Sequence, residues 1–223
     1  MPSADAILAS ASTIANEGRA VAVLWHGVLA VLLTAFVCGW RPSTRVVAYV
    51  LAAPLLSVSA AAWVWGNPFN GTVFVALFLF VLRLASRLSH DPVRFGTPIL
   101  ATVGVMLVAF GSGYPHFLDT DHWMTYAYAA PLGVLPCPTL SAVIGSTLIF
   151  GLLGSVAWSI TLAAAGLVYG AIGVFVLGVQ LDYALLAGAL VLAGAVRGFA
   201  SPLRSDQPTS TSNRNEAPAR GLS

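Results

Sequence analysis

One polar segment of an otherwise apolar chain holds most of the side chains that could do chemistry, and it runs from Gly113 to Thr139. If Pro115 opens a helix there, then His116, Asp119 and His122 recur every three or four positions and share one face. Imidazole, carboxylate and thiolate groups bind divalent ions such as zinc, nickel, cobalt or copper. The sequence therefore predicts a metal site, with a divalent metal ion as the suggested cofactor, at His116, Asp119, Asp121, His122 and Cys137.

Two other interpretations of this segment remain open. An aromatic belt at the level of the lipid headgroups, carried by an interfacial helix, would account for Tyr114, Trp123, Tyr126 and Tyr128. A histidine and aspartate pair could instead handle protons. A structural role, a metal site and a proton site are thus alternatives for the same residues.

Cys137 lies between two prolines, Pro136 and Pro138. Proline lacks an amide donor and disfavours helix in the residue before it, so the thiol is predicted on an extended segment just outside the fifth apolar span. It could bind a metal, take part in redox chemistry or be inert. Cys38 is predicted near the opposite end of the first span, too far away for a disulfide.

The composition is that of a membrane protein. Of 223 residues, 58% are hydrophobic and 8% are charged, whereas an ordinary soluble domain has about 25% charged residues. Windows such as 46–65 contain no charged residue. The net charge of +2 is too small to suggest nucleic-acid binding. We therefore expect an integral membrane protein with one polytopic domain over 20–200, in contact with the lipid bilayer.

Several apolar stretches are close to the roughly 20 residues that a helix needs to cross a hydrocarbon core of about 30 Å. Because backbone groups cannot stay unpaired in lipid, the predicted fold is all-α, a polytopic helical bundle of about seven spans. Outside it, 1–19 is predicted as a short interfacial segment capped by Ser3, and 201–223 as a disordered cytoplasmic tail. The predicted spans are 20–39, 46–65, 72–89, 96–112, 139–155, 158–178 and 182–199.

The arginines predict the orientation of the chain. In a seven-span arrangement, Arg19 alone lies on one side of the membrane, and the others lie on the opposite side. The positive-inside rule then puts the N-terminus outside and the C-terminal tail in the cytoplasm of a cell whose inner (plasma) membrane holds the protein. The segment from Gly113 to Thr139 is external in this arrangement. The arginines of the cytoplasmic side are Arg41, Arg45, Arg83, Arg87, Arg94, Arg197, Arg204, Arg214 and Arg220.

Two ionisable residues inside predicted spans are candidates for a substrate path. His26 lies toward the outer end of the first span, within reach of His116 or His122, although a packing role would also explain it. Arg83 would hold an anionic substrate if it faced a water-filled cavity, whereas snorkelling to the headgroups is the alternative. Pro54 and Pro98 are predicted to kink the second and fourth spans.

Small residues predict close helix packing near the C-terminus. Gly166 and Gly170 form a small-xxx-small step on the sixth span, and alanines and glycines also line the seventh. Such faces let helix backbones approach closely, within one chain or between copies. A homo-oligomer formed through these faces is therefore one predicted partnership.

Two family resemblances follow from short motifs. The run from His116 to His122 has the His, four residues, Asp, His spacing of the nickel and cobalt permeases, which carry it in an early transmembrane helix rather than in a late linker. A broader resemblance is to a family of bacterial multipass proteins of unknown function, and it implies a fold but no activity. It is carried by Asn67-Pro68, Tyr114-Pro115, Pro136-Cys137-Pro138-Thr139 and the segment from Ile172 to Asp182.

Three classes of function remain open from the sequence. The preferred one is a small transporter or permease for a metal ion or another small solute. The second is a non-catalytic component that assembles with itself or with a partner. An intramembrane enzyme is least favoured, because the spans show no paired nucleophile and base, no phosphate loop and no HExxH motif.

Overall fold

The computed structural model describes residues 3–200, so the predicted tail at 201–223 lies outside the described residues. Within that range the fold is all-α, a helical bundle without β-sheet, as predicted. Short 3-10 segments cover Trp123–Thr125, Gly151–Gly154 and Gln180–Asp182, and a π-helical turn covers Ile172–Val176. The helices are α1 (Ala4–Glu17), α2 (Arg19–Val37), α3 (Thr44–Val64), α4 (Pro68–Ala85), α5 (Pro98–Ser112), α6 (Tyr126–Ala129), α7 (Pro136–Ile149), α8 (Val156–Ala171) and α9 (Tyr183–Ala200).

Local signals explain where many of these helices begin. The side chains of Ser3, Asn67 and Thr97 each accept a hydrogen bond from a backbone N–H of the following turn, which caps α1, α4 and α5. Proline follows Asn67 and Thr97 at the first helical position, where its missing N–H is not needed. The predicted kink at Pro98 is therefore wrong, because Pro98 opens α5. Pro54 does lie inside α3, as predicted.

Helix α7 is the centre of the bundle. Each residue from Pro138 to Ile149 is buried, and α3, α5, α8 and α9 pack around it. A helix that is apolar on all sides has to be enclosed by other helices or by lipid. Here other helices enclose it, which shields the 12 residues from Pro138 to Ile149 from the surroundings of the bundle.

The lengths of the helices bear on the span count. Five helical stretches are long and apolar enough to cross a membrane, namely Arg19–Val37, Thr44–Val64, Pro68–Ala85, Val156–Val176 and Gln180–Gly198. Helices α5 and α7 are shorter. Each of the seven predicted spans corresponds to a helix. The long apolar helices are those of a membrane protein. The number of crossings, the orientation and the identity of the membrane remain predictions.

The contact between α5 and α7 depends on glycine. A Cβ atom added at Gly104 would lie 2.5 Å from the carbonyl oxygen of Gly145, and one added at Gly145 would lie 2.6 Å from that of Gly104. About two helical turns further along α5, a Cβ at Gly111 would lie 2.5 Å from the carbonyl oxygen of Pro138. The backbones of the two helices therefore touch, and side chains would hold them apart.

We expect the substitution Gly145→Ala to destabilise the bundle, because the methyl group would force α5 away from the central helix. Overpacking of this kind costs roughly 1–3 kcal/mol. The matched control is Gly194→Ala, since a Cβ there meets nothing within 4 Å. Thermal unfolding in detergent micelles should show a lower midpoint for Gly145→Ala alone, and equal midpoints for both variants would contradict the contact.

We also expect reporters fused to the two termini to lie in opposite compartments, with the N-terminal reporter outside. The physical reason is the one-sided distribution of the arginines over seven helices. Paired alkaline phosphatase and green fluorescent protein fusions measure this in intact cells. Activity of the same reporter at both ends would rule out an odd number of spans.

Candidate functional site

A buried carboxylate marks the candidate site. Asp182 is 2% exposed and is the one buried Asp, Glu or Arg among residues 3–198, the range for which burial is described. It ends the 3-10 turn Gln180–Asp182 that leads into α9. The partial positive charge of a helix N-terminus favours a carboxylate at this position.

Two side chains from other helices donate hydrogen bonds to this carboxylate. The Tyr114 hydroxyl donates to Asp182 Oδ1 over 2.8 Å, and the Cys137 thiol donates to Oδ2 over 3.1 Å. Tyr114 lies two residues after the end of α5, and Cys137 lies in the first turn of α7. We call Tyr114, Cys137 and Asp182 the Asp182 cluster, and it joins the ends of α5, α7 and α9.

The Tyr114 phenol acts as a donor in this arrangement. Its ring is fully buried and packs edge-on against Phe110, with ring centroids 5.5 Å apart. Burial raises the pKa of Tyr114 well above its ordinary value, and the charge of Asp182 raises it further. The hydroxyl therefore keeps its proton and its hydrogen bond to Asp182.

The backbone of the π-helical turn that follows α8 closes one side of the carboxylate. A Cβ atom at Gly173 would overlap Asp182 Oδ2, so glycine is needed for the close approach. Gly173 belongs to the π-helical turn Ile172–Val176. Turns of this type widen a helix locally and are frequent at functional sites.

A cavity of about 430 Å³ lies beside the Asp182 cluster. Most of its wall is apolar, with Ile14 from α1, Val58 from α3 and Leu135 before α7 as examples. Its polar lining consists of the five side chains Asn67, Asn70, Cys137, Tyr169 and Asp182. The site is thus an apolar chamber with polar groups on part of its wall.

A second polar pair faces this cavity. The Tyr169 hydroxyl donates to Asn70 Oδ1 over 3.0 Å, which links α8 to the first turn of α4. The Tyr169 ring packs edge-on against Phe74, with centroids 5.2 Å apart. Because both side chains line the cavity, this pair is a second point at which a ligand could exchange hydrogen bonds.

Helix α1 covers the cavity with Ala4, Ile7, Ala11 and Ile14. Two of its polar side chains hold it to the linker after α5. Ser12 and Asn16 donate to the carbonyl oxygen of Phe117 over 3.2 and 3.0 Å, and Asn16 accepts from the amide of Asp119 over 2.9 Å. These bonds lie in the C-terminal half of α1, so its N-terminal half lies over the cavity without them.

The predicted metal ligands are not brought together. His116, Asp119, Asp121 and His122 are exposed in the linker, whereas Cys137 bonds to Asp182. Among residues 3–200, no group of three or more His, Cys, Asp or Glu side chains could hold a metal ion. A metal site at these five residues remains a prediction that the observed geometry does not support.

The predicted helix from Pro115 is wrong. Residues 115–122 are not helical, and the first helical turn begins at Trp123. Phe117 has a φ of 74°, in the left-handed region that breaks a right-handed helix. The buried Tyr114 and the bonds from α1 to Phe117 fix this irregular path, so the expected common face of His116, Asp119 and His122 does not form.

The predicted extended segment at Cys137 is also wrong. Pro136 is the first residue of α7, a position at which proline is tolerated, and Cys137 therefore lies in the first turn. The Asp182 partner of the thiol could not be inferred from local sequence, because 45 positions separate the two residues.

His26 and Arg83 lie away from the cavity lining. The two ring nitrogens of His26 are 2.8 Å from the carbonyl oxygen of Ala22 and 2.7 Å from that of Ser112, so the ring links α2 to the end of α5. Arg83 is exposed in the last turn of α4. The role of these two residues in a substrate path stays a prediction.

Sequence reasoning missed Asp182, although a signal was available. Asp182 is the only Asp, Glu or Arg between Asp121 and Arg197. An ionisable residue in so apolar a stretch is a functional candidate by default. Tyr114 and Asn70 gave no comparable signal, because tyrosine and asparagine near span ends are common.

Comparison of the chain with protein-family models, with curated proteins and with solved structures gives no match. The two resemblances suggested by short motifs therefore remain predictions.

We expect Gly173→Ala to displace the Asp182 carboxylate, because the added methyl group occupies the position of Oδ2. Loss of the bonds from Tyr114 and Cys137 costs roughly 3–6 kcal/mol, the sum of two hydrogen bonds to a charged group. In a Cys38→Ser background, Cys137 should also react faster with a small methanethiosulfonate reagent. Gly27→Ala is the control, since a Cβ there meets nothing within 4 Å. An unchanged labelling rate and midpoint in Gly173→Ala would refute this account of the site.

Proposed function

We propose that this membrane protein is a small carrier or permease for an organic solute, and that the cavity beside Asp182 is its solute-binding site. The observation that supports this proposal most is the buried carboxylate at the wall of a chamber of about 430 Å³. Ionisable groups buried in membrane bundles are expensive and commonly belong to substrate or ion paths.

The size of the cavity favours a ligand over a packing defect. Pockets for small molecules have volumes of roughly 300–1,000 Å³, whereas interiors leave few voids larger than a water molecule. A chamber of about 430 Å³ falls in the ligand range. A solute bound there would add packing contacts to the lining and would thereby stabilise the bundle.

The chemistry of the wall favours an organic solute over a bare metal ion. Only Cys137 and Asp182 offer thiol or carboxylate ligands among the residues that line it, and most of the remaining wall is apolar. A divalent ion needs four or more ligands, several of them charged or strongly polar. A solute with an apolar body and one polar end matches the distribution of groups better.

The cover of the cavity is suited to opening. Helix α1 is tied to the linker by Ser12 and Asn16, while Ala4 and Ile7 at its other end rest on the chamber. Rotation of the N-terminal half away from the bundle would break few hydrogen bonds. This arrangement gives a solute access from the end of the bundle that the arginines predict to be external.

The alternative of an assembly component has less support from contacts. Gly166 and Gly170, which predicted close helix packing, lie against α9 of the same chain: a Cβ at Gly166 would be 2.9 Å from that of Ala189, and one at Gly170 would be 3.0 Å from the backbone nitrogen of Leu186. This small-residue face is therefore used inside the chain. A homo-oligomer through the small-residue helix faces stays a prediction.

The carrier function is tested by flux in proteoliposomes. Three membrane-impermeant probes with an aromatic ring and different charge are used: benzyltrimethylammonium, phenyl glucoside and benzenesulfonate. We expect at least one probe to cross faster than in protein-free liposomes, and Ala11→Phe to abolish that flux by filling the chamber from α1.

The matched control is Ala9→Phe, which places the same ring on the exposed side of α1. Its flux should equal that of the parent protein. Background flux for all three probes would overturn the carrier proposal, and equal loss in both variants would overturn the assignment of the chamber as the binding site.

A further inference from the structure

We infer that the solute is an organic cation, an ammonium group on an apolar body, and that Asp182 is its counter-ion. This inference rests on the proposed function and names the substrate class of the same cavity. It is carried by two observations. A buried carboxylate lies in the wall of an apolar chamber, and the described lining of this chamber contains no arginine and no histidine.

Among the described residues, no arginine or histidine donates a hydrogen bond to this carboxylate. Its hydrogen-bond donors, Tyr114 and Cys137, are a neutral phenol and a neutral thiol. His116 is near enough to act on Asp182 through charge, but it is exposed in the linker and does not line the chamber. A buried ion without a counter-charge costs several kcal/mol, and a bound cation removes most of that cost.

The carboxylate also has capacity for further donors. An ionised carboxyl group offers about four acceptor positions, and the Asp182 cluster uses one on each oxygen. Asp182 lines the chamber together with Cys137. An ammonium N–H donor placed in the chamber therefore finds an acceptor that is already oriented by two helices.

The rest of the wall suits the body of such a cation. Phe69, Phe117 and Tyr169 contribute aromatic rings to the lining. Ring faces attract alkylammonium groups, and the surrounding aliphatic side chains bury a hydrocarbon body. An anion of the same size would meet the negative charge of Asp182 with no basic side chain to offset it.

The experiment measures binding to the purified full-length protein in detergent by isothermal titration calorimetry. The probes share a phenyl ring and differ in the polar end: 2-phenylethylammonium, 2-phenylethanol and 3-phenylpropanoate. We expect the ammonium to bind at least tenfold more tightly than the alcohol, and the carboxylate to bind most weakly. In Asp182→Asn, which preserves shape and removes charge, the preference for ammonium over alcohol should disappear.

A second measurement covers the case in which Asp182→Asn does not fold. In the Cys38→Ser protein with Asp182 intact, bound 2-phenylethylammonium should slow methanethiosulfonate labelling of Cys137 at least fivefold, and 3-phenylpropanoate should not. Equal or tighter binding of the alcohol or the carboxylate would overturn the cation assignment and leave the carrier proposal standing. No binding and no protection by the ammonium would also overturn it, while flux of phenyl glucoside or benzenesulfonate would still support a carrier.

Discussion

Burial of the Asp182 carboxylate constrains this end of the bundle more than any other contact there. A carboxylate that has lost its water must receive hydrogen bonds from protein groups, and these come from Tyr114 and Cys137. The requirement fixes the end of α5, the start of α7 and the start of α9 relative to one another. It also requires glycine at position 173, in the π-helical turn after α8, because a Cβ atom there would overlap Asp182 Oδ2. The chamber lies next to the cluster, and Cys137, Gly173 and Asp182 form part of its wall.

The central position of α7 complements this constraint. The helix is enclosed by its neighbours, and glycines let α5 touch it backbone to backbone. Close contact along Gly104, Gly111 and Gly145 leaves no space on that side. The open space lies instead at the opposite side of the α7 N-terminus, under α1. The packing of the bundle and the position of the chamber thus follow from the same distribution of small and large side chains.

Much of the fold could be predicted from the sequence, and little of the candidate site. Hydropathy identified each of the long helices, because burial in lipid or in a bundle needs long apolar runs. The helix cap at Ser3 and the proline inside α3 at Pro54 could also be predicted from the local sequence. The site was not readable, since the partners of Asp182 are 45 and 68 positions away along the chain. Periodicity alone predicted a helix at Pro115, but tertiary contacts of Tyr114 and Phe117 override it.

Those contacts also give the long linker a role that needs no metal. Its Phe117 carbonyl holds α1, and its Gly133 carbonyl accepts from Ser57 Oγ, which in turn accepts from Trp25 Nε1 over 2.8 Å. Val134 and Leu135 pack in the same apolar cluster as Ile14 of α1. The linker therefore joins α1, α2 and α3 to the start of α7. Its length follows from this task, because a short connection between α5 and α7 would leave the chamber without its cover and Asp182 open to water.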